Sequence, residues 1–301
     1  MIDKEIQKIA KDIKEIKIQG ASNIELESIK GILELLKKTD KKEKELITEI
    51  KENINLLVIQ RPNEPKLRNS MNYIYQKVKS FSEDKEKIIE EVIKYKEKTK
   101  NGNETISEMA SQLITNGMKV LTHCHSTLVE NAFKKAHDKG IDFEVFCTET
   151  RPRYQGRITA RNLSEYGIKT TLITESTVTH FLKQTDYFFT GADVVFQDGS
   201  IMNKLGTNLI SLASKEYKTP HIVLTSTHCV ETDDFLSIVQ NIEERDINEV
   251  WEEKERPEKL NIKNPAFDVV PNELIDKFIT EEGVFSPETL SFWVNQLKKK
   301  I

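Results

Sequence analysis

Lys119-Val120-Leu121-Thr122-His123-Cys124-His125-Ser126 runs from an apolar stretch into a cluster of chemically active side chains, and a helical pattern opens at Thr127. The pattern is that of a buried strand turning sharply into a helix. Further short apolar runs at 143 to 148, 169 to 174, 187 to 196 and 220 to 226 alternate with segments of helical periodicity, as the first does at 119 to 123. This is the βαβ signature. Such strands lie parallel, with right-handed crossovers and helices on both faces, and ligands bind outside their carboxyl ends. Residues 105–301 are therefore expected to form a Rossmann-like, doubly wound α/β domain. It lacks a GxGxxG dinucleotide fingerprint and a GxxxxGK[ST] phosphate loop.

Residues 1–104 have a different texture. Ile2, Ile6, Ile9, Ile13 and Ile16 repeat at spacings of 4, 3, 4 and 3, which puts all five on one stripe of a helix ending at Gly20. Ser22 and Glu25 have capping-box spacing and open a second run through Ile24, Ile29, Leu33 and Leu36. A third helix is expected around 42 to 57, before the Arg61–Pro65 turn. Long polar helices then cover about 67 to 99, up to a break at Asn101–Thr105. A helical N-terminal domain follows from this pattern. The isoleucine stripe is too short for a self-assembling coiled coil and reads better as one face of a helical cap.

The 301 residues carry 45 Lys plus Arg against 49 Asp plus Glu, a net charge of -4, so nothing favours nucleic acid or an anionic membrane as partner. Charges fill the first residues, where a signal peptide would need an apolar core, and there is no run of 18 apolar residues. A cytoplasmic location is expected. Cys124, Cys147 and Cys229 are too few and too scattered for a disulfide framework, and none belongs to a CxxC pair.

Candidate chemistry gathers at the strand ends. At a helix N-terminus the macrodipole favours a thiolate and backbone N–H groups favour phosphate, so Cys124 reads as an acid/base. The alternative is a small buried thiol, with His123 and His125 satisfied by the backbone. A metal is not expected, because no second ligand group stands at suitable spacing. The fourth strand ends in Thr190-Gly191-Ala192-Asp193, where the carboxylate either holds a proton or caps a turn. Ten residues on, Asn203 and Lys204 precede another helix and suit sugar hydroxyls or phosphate; Lys204 reads equally as a solvated charge. Between them Arg151, Arg153 and Arg157 lie in a loop marked by Pro152 and Gly156, the best local phosphate signal.

Taken together, Thr122–Ser126, Thr148–Gly156, Gly191–Thr207 and Asn264–Pro271 resemble a family of sugar-phosphate isomerases and translation-factor subunits. It contains ribose 1,5-bisphosphate isomerase, methylthioribose 1-phosphate isomerase and the alpha, beta and delta regulatory subunits of the eukaryotic translation-initiation guanine-nucleotide exchange factor. Residues 18–24 and the turn at Arg61 are similar to further family landmarks. The resemblance implies isomerisation of ribose 1,5-bisphosphate to ribulose 1,5-bisphosphate in nucleotide breakdown, without cofactor. Cys124 would accept a proton as thiolate, and Asp193, held protonated, would donate one. It also implies that Gln19, Gly20, Ala21, Ser22, Arg61, Ser126, Asn203 and Lys204 line the substrate site. The family's early motif usually has Arg where Gln19 stands, and a Lys commonly ends the fifth strand where this chain has Ser226-Thr227-His228-Cys229; His228 is then a substitute donor. The alternative reading is a non-catalytic regulatory subunit that binds a nucleotide or sugar phosphate and a translation factor. A homo-oligomer, dimer or hexamer, is implied. Phe267, Val269, Val270, Phe285, Phe292 and Trp293 are candidates for its interface.

Overall fold

The computed structural model describes residues 2–15, 17–18, 20–62, 64–231 and 242–298, and it divides into two compact units, Met1–Glu104 and Thr105–Ile301. The first unit is helical: α1 (Lys4–Lys14), α2 (Ala21–Lys38), α3 (Glu43–Val58), α4 (Pro65–Ser80) and the start of α5 (Lys85–Ser111). Ile6, Ile9 and Ile13 of the stripe are buried in its core with Ile29, Leu36, Ile50, Leu57, Met71 and Ile74; Ile16 lies outside the described residues. Asp3 caps α1, accepting from the N–H groups of Glu5 and Ile6.

Three local expectations fail here. α1 ends at Lys14 rather than Gly20. The capping box at Ser22 and Glu25 does not form. Gly20, at φ 79°, takes the N-cap position of α2, and both side chains are drawn into a buried polar cluster instead. Lys66 Nζ donates to Ser22 Oγ at 2.8 Å and lies 3.4 Å from Glu25 Oε2; Ser70 Oγ donates to Glu25. The break at Asn101–Thr105 is also absent, because α5 passes through it. One glycine in a helix costs only about 1 kcal/mol, which a long helix tolerates.

The second unit is built on a seven-stranded sheet in the order β10-β9-β7-β4-β1-β2-β3. Its strands are β1 (Lys119–Thr122), β2 (Glu144–Thr148), β3 (Lys169–Ile173), β4 (Tyr187–Gly191), β7 (His221–Leu224), β9 (Lys277–Thr280) and β10 (Gly283–Phe285). All neighbours pair in parallel except β10, which runs antiparallel to β9 at the edge. The connecting helices are α6 (Thr127–Asp138), α7 (Gln155–Glu165), α8 (Val178–Leu182) and α9 (Thr207–Tyr217); α10 (Pro287–Lys298) follows β10. The expected strand over 187 to 196 is two elements in two sheets. The chain leaves the main sheet after Gly191, and β5 (Val194–Val195) joins β6 (Ile201–Lys204) and β8 (Phe267–Val270) in a small antiparallel sheet.

This topology places the site. From β1 the chain steps outward to β2 and β3, then crosses back to β4 on the other side of β1, so winding reverses between β1 and β4. A crevice opens outside the carboxyl ends at such a point. Thr122 pairs with Phe189, so Cys124 and Gly191 leave the sheet level with one another.

Of the C-terminal apolar residues, Val270 is fully buried, Phe285 and Trp293 pack on the core of their own unit, and Phe267 and Val269 pack against Val194, Phe196 and Met202. Phe292 alone of the six is strongly exposed, at 66%.

Candidate active site

The β1 end is held by side chains on three neighbouring strands. His123 is buried; its Nε2–H donates to the Leu205 carbonyl at 2.9 Å, so Nδ1 accepts from Thr148 Oγ1 at 2.7 Å. Burial pushes its pKa down to about 4, and the ring is neutral. It acts as a bolt between β1, β2 and the turn entering α9. Gly206 occupies that turn at φ 103°, and a Cβ there would stand 3.0 Å from the imidazole.

Cys124 itself has φ 66°, and the next strand contributes Thr150 with φ 61°. The Cys124 N–H donates to Thr150 Oγ1 at 2.9 Å, and its carbonyl accepts from Thr159 Oγ1 at 3.0 Å. His125 Nδ1 stands 3.0 Å behind Thr159 Oγ1, and burial lowers the pKa of this histidine too. The backbone turn carrying the thiol is therefore clasped at both ends.

Three charged side chains act on that thiol: Lys204, Asp193 and Glu175. Burial dominates and pushes the thiol up to about 11. Lys204 and the His125 N–H pull it down, and Asp193 and Glu175 add to the rise. Burial thus opposes the ionisation that a helix N-terminus favours. At neutral pH the group is a thiol.

Asp193 stands in the link between β4 and β5, half-buried, with its N–H donating to the Met202 carbonyl at 3.0 Å. Ser126 is the N-cap residue of α6 and packs on Gly191, where a Cβ would lie 2.8 Å from Ser126 Oγ. Gly191 thus lets the β4 end approach the start of α6 closely. Asn203 is buried with Nδ2 3.1 Å from Thr207 Oγ1, and the Lys204 ammonium lies 4.8 Å from the Phe267 ring centroid. The N–H groups opening α9 are taken internally: Asp268 accepts from Gly206 at 2.6 Å and from Asn208 at 3.2 Å.

Cys124 therefore lies within electrostatic reach of Asp193 and Lys204, and Ser126 packs on Gly191, two residues before Asp193. Several other expected contributors have partners within the protein. Arg151 donates to the Val250 carbonyl at 2.8 Å and to Tyr154 Oη at 2.6 Å, and Arg153 pairs with Glu249 at 3.2 Å. Both arginines tie their loop to the Ile247–Val250 turn. His228 lies in the short turn after β7, where Glu281 accepts from the Thr227 N–H at 3.1 Å. Gly20, Ala21, Ser22 and Arg61 belong to the helical unit, with Ser22 bonded to Lys66. Gln19 lies outside the described residues. Sequence reasoning missed Glu175, Thr150 and Thr159. Glu175 follows β3 directly, so its place at a strand end was the available signal.

The model of the Initiation factor 2 subunit family covers residues 17–287. The chain belongs to this family. A ribose 1,5-bisphosphate isomerase of Methanocaldococcus jannaschii is 35% identical over 94% of this chain and 92% of its own length. A methylthioribose-1-phosphate isomerase of Heliobacterium modesticaldum is 33% identical over 92% of this chain and 86% of its own. Among solved structures, the translation initiation factor eIF-2B of Pyrococcus horikoshii superposes with a TM-score of 0.82 at 25% identity, covering 95% of this chain and 98% of that one. The chain is thus similar to two isomerases in sequence and to a translation initiation factor in fold. No group of three or more His, Cys, Asp or Glu side chains among the described residues is arranged to hold a metal ion. No helix among them is long and apolar enough to cross a membrane.

Proposed function

We propose that this chain interconverts ribose 1,5-bisphosphate and ribulose 1,5-bisphosphate, with Cys124 and Asp193 as the proton-transfer pair, in the breakdown of nucleotides. One observation carries the reading beyond family likeness: the thiol of Cys124 stands within electrostatic reach of both Asp193 and Lys204 at the switch point of the sheet. An aldose-to-ketose shift needs such a pair. Asp193 gives a proton to the ring oxygen as the bond from that oxygen to C1 breaks, while Cys124 takes the proton from C2, leaving an enol between C1 and C2. Reprotonation at C1 and loss of the enol proton complete the ketone. No electrons leave the sugar, so no redox partner is required.

Because burial keeps Cys124 protonated at rest, it must lose its proton before it can accept one from carbon. Lys204 is the cation placed to favour that loss and to meet a phosphate. Ser126 and Asn203 complete the sugar contacts, and Gly20, Ala21, Ser22, Arg61, Gln19 and His228 are further substrate contacts by family likeness. Arg151 and Arg153 keep donors beyond those their protein partners occupy, and serve the second phosphate. The exposed Phe292 and the family likeness support a homo-oligomer in the cytoplasm.

A regulatory, non-catalytic role is the second reading. The turn after β7 favours it, because Glu281 puts a carboxylate against Thr227 where a substrate phosphate would want a cation. Turnover of ribose 1,5-bisphosphate by the purified protein, followed by phosphorus and proton NMR, decides between them. Formation of ribulose 1,5-bisphosphate supports catalysis; tight binding without conversion supports regulation.

A further inference from the structure

Cys124 and Thr150 both occupy the left-handed region. For a β-branched residue such as Thr150 this conformation is a genuine outlier, and it persists only where neighbours hold it. The neighbour is Glu175. Its Oε1 accepts from the Thr150 N–H at 2.6 Å, and Thr150 Oγ1 in turn accepts from the Cys124 N–H at 2.9 Å. The chain of contacts runs from the end of β3 through the end of β2 to the end of β1, three adjacent strands. Glu175 retains 20% exposure and lies 3.9 Å from His123 Nδ1, which is already bonded to Thr148.

We propose that Glu175 is a positioning residue for Cys124, acting through Thr150 to hold the turn that presents the thiol to the crevice. The proposal rests on the isomerase reading for its consequence in turnover, and on geometry alone for its effect on the thiol. The groups facing the sulfur are Lys204 from β6, Asp193 from the β4–β5 link, Glu175 from the β3 end and the His125 N–H; His123 is neutral and bonded elsewhere. Removing the Glu175 charge therefore lowers the pH at which Cys124 ionises, and removing its acceptor loosens the turn.

Glu175→Gln and Glu175→Ala separate these effects. In Glu175→Ala, kcat is expected to fall about tenfold or more with KM within about threefold, since displaced reacting groups cost rate before affinity. Glu175→Gln keeps an oxygen for the Thr150 N–H and should restore most of kcat. Alkylation of Cys124 by iodoacetamide, followed by peptide mass spectrometry across pH, reads the thiol without any substrate; in Glu175→Gln its midpoint moves to lower pH. Unchanged alkylation profiles in both variants overturn the proposal. Shifted profiles in a protein that does not convert ribose 1,5-bisphosphate sustain it and sink the substrate assignment instead. If Glu175→Ala fails to fold, Glu175→Asp, which keeps the charge but shortens the reach to the Thr150 N–H, takes its place, and an unchanged kcat with an unchanged rate of Cys124 alkylation overturns the proposal.

Discussion

Thr150 Oγ1 accepts the backbone N–H of Cys124 at 2.9 Å, joining two left-handed residues across the carboxyl ends of β1 and β2. Thr150 is fully buried, so no water replaces that acceptor when it is lost. Thr150→Val preserves shape and removes the oxygen. The Cys124 N–H is then unpaired, and the expected cost is about 1–3 kcal/mol in urea unfolding, with a larger fractional loss of kcat than of stability at 25 °C. Full activity in a well-folded Thr150→Val protein would show that the turn does not need this bond.

The proton-transfer assignment makes a sharper demand. Cys124→Ser and Asp193→Asn each change little volume, and each removes a group whose acid/base contribution is about 100-fold or more. Turnover should fall by at least that factor while calorimetric binding of ribulose 1,5-bisphosphate stays within a few-fold. A variant keeping more than roughly a tenth of wild-type kcat removes its residue from the pair.

The direction of the Cys124 shift gives a pH test. With the thiol pushed up to about 11, the reactive thiolate is a small fraction at neutral pH, growing about tenfold per pH unit. If Cys124 is the proton acceptor and Asp193 keeps its proton, kcat/KM rises with near unit slope between about pH 7.5 and 9, where the substrate phosphates are already dianionic. A flat profile there would sink the pairing of a Cys124 thiolate with an Asp193 that stays protonated.

Much of this arrangement is legible in the sequence. Alternating apolar runs named the β1, β2, β3, β4 and β7 strands, and their carboxyl ends named Cys124 and Asp193. Two kinds of feature were not legible. The break after Gly191, which turns one apolar run into strands of two sheets, is set by the partners β6 and β8, and β8 lies more than sixty residues on. The capping motif at Ser22 and Glu25 was overridden because Lys66, buried at 1% exposure, claims both oxygens. Local spacing carries no information about such distant claimants, nor about Glu175 reaching Thr150.

Acid should unfold the α/β unit early, through its buried histidines. His123 and His221 are each 1% exposed and neutral, with pKa values pushed down by burial to about 4 and about 3 from 6.5. The unfolded chain takes up protons below about pH 6.5 that the folded chain refuses, so stability falls as pH drops from there through 4. Each pKa unit is worth about 1.4 kcal/mol, giving about 3 kcal/mol from His123 alone by pH 4. Urea unfolding should show constant stability from pH 7 to 8 and a steep loss between pH 6 and 4. The His123 contribution is absent if His123→Asn, which keeps a hydrogen-bonding side chain but cannot titrate, leaves that slope unchanged.

The helical unit holds a buried ion pair whose loss is expected to cost stability. Lys66 and Glu25 are 1% and 0% exposed and stand 3.4 Å apart, with Ser22, Ser70 and Asn103 among their polar contacts. Two buried charges need one another more than the fold needs them: a well-packed apolar replacement of the pair is often neutral, whereas removing one partner strands the other. Lys66→Met should therefore cost about 3–5 kcal/mol. Adding Glu25→Gln removes the stranded charge and should return a substantial part of that loss, a coupling measurable by a double-mutant cycle in urea. The Ser22 hydroxyl loses its Lys66 donor in both proteins, so any effect on substrate binding through Ser22 persists in the double variant while stability recovers. A single-variant cost below about 1 kcal/mol, typical of a solvated surface pair, would show that water reaches Lys66 and Glu25 and that the cluster does not anchor the start of α2.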